Sequence, residues 1–148
     1  MKKPERIIRA VASVLLAVAV VAGAAEAATW DPQGWADQDT LELRTDVPDE
    51  GPYWFKVWLV VIDGQVYVRL GNRAAGRVQK SRTAPEVGVR VAGQEFERVR
   101  GVPVPDMADR VAAAMADKYW SDVFVRHFSH PLTLRLEPES GSPASAPR

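Results

Sequence analysis

The clearest candidate for chemistry in this chain is a short basic stretch between residues 71 and 85. It carries four cations and no acidic residue: Arg73, Arg77, Lys80 and Arg82. Arginine suits phosphate because its planar guanidinium donates two parallel hydrogen bonds. The backbone amides of Gly71 and Asn72 could complete an anion-binding cradle. The alternative interpretation is a solvated loop whose charges only aid solubility.

Three side chains before this stretch could form the wall of a ligand site. Trp58 and Arg69 are expected directly opposite each other on paired strands, with Tyr67 on the same face. Trp58 and Arg69 could stack as a cation–π pair, contributing about 0.5–1 kcal/mol if exposed. Together with Tyr67 they could also flank a planar ring. The alternative is an aromatic patch buried under the N-terminal tryptophans or under a second subunit.

Two histidines are candidate metal ligands or general bases. His127 and His130 have H-x-x-H spacing, which places both rings on one face only if they lie on a helix. Pro131 follows directly and disfavours a helix, and no nearby acidic residue has an obvious ligand spacing. No serine or cysteine nucleophile pairs with either histidine by motif. We therefore predict no metal site, and the sequence assigns no catalytic residue.

A β-hairpin predicted between residues 54 and 70 positions the aromatic group. Two apolar runs flank Asp63-Gly64, and this dipeptide favours a hairpin because a type I′ turn needs positive φ at both central residues. A two-residue loop places Val60 opposite Tyr67. One face of the hairpin is then entirely apolar and is expected to face the core. It holds Val57, Leu59, Val61, Val66, Val68 and Leu70.

Alternating apolar and polar residues predict four more strands, over residues 40–45, 86–91, 94–99 and 132–136. The second and third of these form a hairpin with Val89 opposite Phe96. Residues 46–52 are expected to be a loop, and residues 73–80 a short helix that Gly76 weakens. An amphipathic helix is predicted from Asp106, its N-cap, to Tyr119. This pattern indicates a mainly β (α+β) fold, a small barrel or a strongly curled sheet of about six strands.

The composition limits the class of protein. A chain of 148 residues predicts one domain. Nineteen basic residues balance nineteen acidic ones, so no global charge favours binding to nucleic acid or to an anionic membrane. The chain has no cysteine, which excludes disulfides, thiol catalysis and thiolate metal sites. The expected partner is a small-molecule ligand with a phosphate group, and a homodimer is an alternative to a monomer.

The first 27 residues have the pattern of a signal peptide. A basic start precedes an uncharged run from Ala10 to Ala25, and Ala25-Glu26-Ala27 supplies a small-x-small cleavage site. The run is shorter than the ~20 apolar residues of a spanning helix, so cleavage is favoured over an anchor. We expect a periplasmic or secreted protein that touches the membrane only if this segment stays uncleaved.

The mature chain is expected to divide into three parts. Residues 28–39 form an irregular lead-in, in which Trp30 and Trp35 cover one end of the core. Residues 40–138 form the folded domain. Residues 139–148 form a Ser/Pro/Gly tail that is predicted to be disordered.

Several short motifs across residues 40–138 resemble the flavin-binding split-barrel superfamily. These are Tyr67-Val68-Arg69 on a strand, Lys118-Tyr119 at the helix end, and a final Thr133-Leu134-Arg135-Leu136 strand. The superfamily includes pyridoxamine-phosphate-oxidase-like proteins and deazaflavin-dependent reductases. The likeness is greatest to a small, uncharacterised branch of it. It implies a split β-barrel-like antiparallel sheet of about six strands with one late amphipathic helix.

The resemblance also implies a cofactor, FMN or a deazaflavin, and oxidoreductase activity. Basic and hydroxyl side chains after the arginine-bearing strand hold the flavin phosphate in that superfamily. The matching residues here are Arg69, Asn72, Arg73, Lys80 and Ser81, with Trp58 and Tyr67 flanking the ring. Leu70 stands where a Ser or Thr is frequent, and Val78 where an aromatic residue is common. These two positions favour the alternative, a non-catalytic periplasmic or envelope module that kept the barrel without the cofactor.

Overall fold

The computed structural model describes residues 28–119 and 131–140. The predicted signal peptide, both histidines and most of the predicted tail lie outside these residues. Within them, no helix is both long enough and apolar enough to cross a membrane.

The described residues form six strands and two α-helices. The strands are β1 (Thr40–Val47), β2 (Gly51–Ile62), β3 (Gln65–Leu70), β4 (Glu86–Val91), β5 (Gln94–Pro103) and β6 (Leu132–Pro138). The helices are α1 (Asn72–Lys80) and α2 (Ala108–Lys118). All neighbouring strands are antiparallel, and they close into a barrel in the order β1-β2-β3-β6-β5-β4. The predicted mainly β, split-barrel-like fold is confirmed.

Both predicted hairpins form in the expected register. Val60 pairs with Tyr67 across β2 and β3, and Val89 pairs with Phe96 across β4 and β5. The β2–β3 turn has φ values of 50° at Asp63 and 73° at Gly64, which is the positive φ that a two-residue type I′ turn needs. The local turn chemistry therefore sets the register of the central hairpin.

The barrel interior is the main hydrophobic core. Inward-facing residues of β1, such as Leu41 and Leu43, are buried with partners from every other strand. At one end Trp30, Trp35 and Phe96 meet edge to face, so the predicted tryptophan cover is confirmed. At the other end α1 turns Ala75 and Val78 into the core. Apolar side chains therefore cover both ends of the barrel, aromatic ones at one end and those of α1 at the other.

A second core lies outside the barrel, between α2 and the outer face of the β2–β3 hairpin. It contains Val60, Tyr67, Val111, Met115 and Tyr119, all buried. Tyr67 is therefore buried in an apolar patch and does not line an open face. The apolar stripe of α2 covers that face, and the N-terminal tryptophans do not.

Two local predictions also need correction. Residues 46–52 are mostly strand, because β1 and β2 form a tight hairpin in which Asp46 pairs with Pro52. Positive φ at Asp49 and Gly51 allows this short turn. Asp106 does not cap α2, because Pro105–Met107 first makes a 3₁₀ turn and no side chain caps the helix. The fixed φ of a proline suits the first position of such a turn.

The second core makes a prediction about Tyr67. Tyr67→Asp should lower the free energy of unfolding by about 3 kcal/mol or more, because a carboxylate would be buried between β3 and α2. Gln65→Asp, at an exposed position on the same strand, is the matched control and should change it by less than about 0.5 kcal/mol. Urea unfolding measures both. Equal, small effects would show that α2 does not cover this face.

Candidate functional site

The candidate site arises where β2 changes its partner. β2 pairs with β1 from Gly51 to Trp58, and with β3 from Leu59 to Ile62. β3 itself continues to Leu70 beside β6. Beyond the Leu59–Val68 pair, β2 and β3 therefore follow different neighbours. We call the gap between them the fork.

A cavity of about 370 Å³ lies in the fork. Its walls come from β1, β2, β3, the start of α1 and one residue of α2: Thr40, Phe55, Lys56, Val57, Trp58, Arg69, Leu70, Gly71, Ala74 and Met115. This volume is within the range of about 300–1,000 Å³ that is typical of ligand sites. Most of the wall is apolar or aromatic, and Lys56 and Arg69 supply positive charge. We call this the fork cavity.

Trp58 forms one wall of the fork cavity, and Tyr119 holds its indole in place. Its indole stacks on the ring of Tyr119, with centroids 4.8 Å apart and planes 14° apart. The single hydrogen of the Tyr119 hydroxyl is shared between the carbonyl oxygens of Asp39 at 2.6 Å and Leu59 at 2.7 Å. Burial raises the pKa of Tyr119 to about 12. The hydroxyl therefore stays protonated and keeps donating throughout the physiological range.

Lys118 strengthens the same attachment. Its ammonium donates to the carbonyl oxygen of Leu59 at 3.1 Å and to that of Gln38. Burial lowers the pKa of Lys118, and the nearby carboxylates of Asp39 and Asp37 oppose this shift. We call Lys118 and Tyr119, with the three carbonyls that they bind, the latch. The latch fixes the end of α2, and with it Met115, against the fork.

Two of the residues that the sequence singled out lie together in the fork cavity. Trp58 and Arg69 both line the fork cavity. Tyr67 lies buried under α2. Ser81 is buried, where its Oγ accepts from the backbone N–H of Asp46 at 3.0 Å and lies 3.0 Å from Oγ1 of Thr83. Ser81 thereby ties the end of α1 to β1 and does not reach the fork cavity.

Asn72, Arg73 and Lys80 line a different cavity. It has a volume of about 270 Å³ and lies between α1 and the β1–β2 turn. Its lining consists of Val47, Glu50, Asn72, Arg73, Gly76, Arg77 and Lys80. We call it the helix cavity. Arg69 therefore lies in one cavity and Asn72, Arg73 and Lys80 in another, and Ser81 lines neither.

Sequence reasoning missed several residues of the fork cavity. Phe55 and Val57 were recognisable as hydrophobic strand residues, but their pattern predicts a core position equally well. Met115 comes from α2, more than forty residues further along the chain, and no local pattern places it there. Lys56 carried no signal beyond its charge. Among residues 28–119 and 131–140, no group of His, Cys, Asp or Glu is arranged to hold a metal ion.

Comparison with known proteins supports the fold. No protein-family model matches the chain, and no curated protein matches it. Solved structures do. HutZ, the heme storage protein from Vibrio cholerae, superposes with a TM-score of 0.52 at 19% identity, covering 70% of this chain and 83% of that one.

Two proteins without an assigned function are similar to the same degree. The conserved hypothetical protein Rv2991 from Mycobacterium tuberculosis gives a TM-score of 0.51 at 17% identity, over 75% of this chain and 81% of that one. Protein Atu2129 from Agrobacterium tumefaciens gives 0.54 at 17% identity, over 74% of this chain and 52% of that one. At these identities the likeness shows a shared barrel fold.

The latch makes a pH-dependent prediction. Tyr119→Phe keeps the ring that stacks on Trp58 but removes the hydroxyl, and should lower the free energy of unfolding by about 1–2 kcal/mol near neutral pH. The pKa of Tyr119 rises from 10.0 to about 12 on folding, so the unfolded state loses this proton first as pH rises. The advantage of the wild type should be complete below pH 10 and decline between pH 10 and pH 12.

Urea unfolding across this pH range measures the difference between the two proteins. Tyr53→Phe is the matched control, since Tyr53 is 52% exposed and the substitution should give no pH-dependent difference. A wild-type advantage that grows above pH 10 would contradict a buried, donating Tyr119 hydroxyl.

Proposed function

We propose that the fork cavity binds a planar cofactor of the flavin or deazaflavin type, and that the protein acts as an oxidoreductase with it. The observation that carries the proposal is the composition of the cavity wall. An indole held in fixed orientation faces an apolar cavity that has an arginine at its edge. Planar aromatic rings stack on such surfaces, and an arginine binds the anionic group that such cofactors carry.

The ring fits the residues that are present. Trp58 and Phe55 offer aromatic faces, while Val57, Leu70 and Met115 supply apolar contact. The small side chain of Ala74 leaves space on the α1 side. A largely apolar cavity with a few polar groups is the usual form of a cofactor site.

The phosphate would be held by fewer residues than the superfamily resemblance implies. Arg69 and Lys56 line the cavity, and Gly71 places the start of α1 at its wall. The amides of a helix N-terminus favour an anion there. Asn72, Arg73 and Lys80 belong to the helix cavity. When bound, a flavin supplies hydride or electron transfer, and the residues that line the fork cavity would bind and orient it.

The non-catalytic alternative rests on this incomplete phosphate set. Ser81 is engaged in holding α1 to β1, and the remaining predicted cations line another cavity. A module that binds a planar ligand without catalysing a reaction of it needs only the apolar wall and one cation. Binding without reduction of the bound flavin by NADH or NADPH would favour this alternative.

Heme is a second candidate ligand, and Met115 is the observation that favours it. Heme is also planar and apolar with two carboxylates, and a methionine thioether could bind its iron. Met115 lines the fork cavity, and HutZ, which shares the fold, is a heme storage protein. Met115→Leu should reduce heme binding while leaving flavin binding nearly unchanged, because the two side chains have similar volume.

Titration of the protein with FMN, a reduced deazaflavin and hemin tests the proposal. Arg69→Gln should weaken FMN binding by roughly tenfold to a hundredfold, since a charge-assisted hydrogen bond contributes about 1.5–3 kcal/mol. Binding should also weaken as salt rises. Arg110→Gln is the control, because Arg110 is exposed and pairs with Asp63 away from the cavity.

Three outcomes separate the candidates. FMN or deazaflavin binding that depends on Arg69 supports the flavin proposal. Hemin binding that depends on Met115, without flavin binding, favours the second candidate. If the wild type binds none of the three at high micromolar concentration, the cofactor proposal fails.

A further inference from the structure

The helix cavity lies beside the fork cavity and has its own construction. α1 turns Ala75 and Val78 into the barrel core and Ala74 towards the fork. Its remaining flank borders the helix cavity. There Asn72, Gly76 and Lys80 follow one another at a spacing of four residues, with Arg73 and Arg77 alongside. One face of a single helix thus supplies most of the lining.

The charge of this cavity is positive. Arg73, Arg77 and Lys80 face a single carboxylate, that of Glu50, which pairs with Arg77. Arg82 and Asp46 pair with each other nearby, at 4.0 Å, and do not alter the balance. Three cations around a cavity of about 270 Å³ attract an anion more strongly than the same charges spread over a convex surface.

Arg77 is held in a fixed orientation within this wall. Its guanidinium lies 4.6 Å from the ring centroid of Tyr53 and pairs with Glu50, and the side chain is only 13% exposed. Because the pair with Glu50 and the contact with Tyr53 hold the guanidinium in place, its positive charge is fixed at the wall of the helix cavity.

Gly76 is the observation that a purely solvated charged surface does not explain. Glycine in a helix interior is destabilising relative to alanine. Gly76 has helical backbone geometry with no positive φ, and a Cβ placed there would meet no atom within 4 Å. Neither conformation nor crowding therefore requires glycine. The missing side chain leaves the floor of the helix cavity open.

We propose that the helix cavity is a binding site for a phosphoryl group or a similarly charged oxyanion, separate from the fork cavity. Arg73 would bind the anion with paired N–H donors, Arg77 and Lys80 would add positive charge, and the Asn72 amide would donate a further hydrogen bond. The open floor at Gly76 lets the anion approach the helix closely. Glu50 limits the affinity and selects for ligands with more than one negative charge.

The decisive variant is Gly76→Ala, because the proposal gives its two effects opposite signs. Alanine should raise the melting temperature, since it favours the helix, and should weaken binding of pyrophosphate about tenfold by filling the floor. Gln79→Ala is the matched control, an exposed position on the same helix outside the cavity. It should leave pyrophosphate binding unchanged.

Calorimetric titration with pyrophosphate at fixed salt measures binding of a free phosphate compound. Sedimentation with phosphatidylcholine vesicles, with and without phosphatidic acid, measures binding of a lipid headgroup. Arg73→Gln should weaken whichever is bound by about tenfold. FMN binding in the fork should not change with Gly76→Ala, so failure here is distinguishable from failure of the fork proposal.

Binding of pyrophosphate, or of vesicles only when they carry phosphatidic acid, supports the proposal if Gly76→Ala and Arg73→Gln both weaken it and Gln79→Ala does not. Binding that is indifferent to Gly76→Ala overturns it. Absence of binding to both probes by the wild type also overturns it.

Discussion

The structure depends on the hydrogen bonds that the backbone of β2 accepts at the point where this strand leaves β1. The carbonyl of Leu59 is the first on β2 beyond the β1 ladder, and two side chains of the latch, Lys118 and Tyr119, donate to it. A buried carbonyl without a donor would cost free energy comparable to a lost hydrogen bond. Satisfying it from the end of α2 fixes that helix on the outer face of the hairpin. The position of Met115 and the orientation of Trp58 follow from this attachment.

The separation of the two cavities follows from the same geometry. β2 and β3 separate beyond Leu59, so the chain after Leu70 must close the barrel end by another element, and α1 does so. Because α1 has a buried side, its flanks border different spaces. One flank completes the fork cavity with small and apolar residues, and the other carries the cations of the helix cavity. A basic stretch that is continuous in sequence is therefore divided in space.

Local patterns predicted the fold better than the site. Alternation and the Asp63-Gly64 turn define the strands and the hairpin register, because both depend on near neighbours. Placing Trp58 and Arg69 together followed from that register. The sequence left open whether Tyr67 is buried, because the helix that covers it comes about forty residues later in the chain and no local pattern places it there. Met115 and the engagement of Ser81 with Asp46 are long-range contacts that sequence spacing does not specify.

A crystal structure of the protein, from crystals grown with FMN, tests most directly the central claim that the fork cavity binds the cofactor. The account predicts density for the ring in the fork, against the indole of Trp58, with the phosphate within hydrogen-bond distance of Arg69. Trp58 should keep its stacking on Tyr119, because the latch holds it in place without the ligand. A fork free of ligand in crystals of protein that is saturated with FMN in solution would contradict the account, as would FMN bound only in the helix cavity.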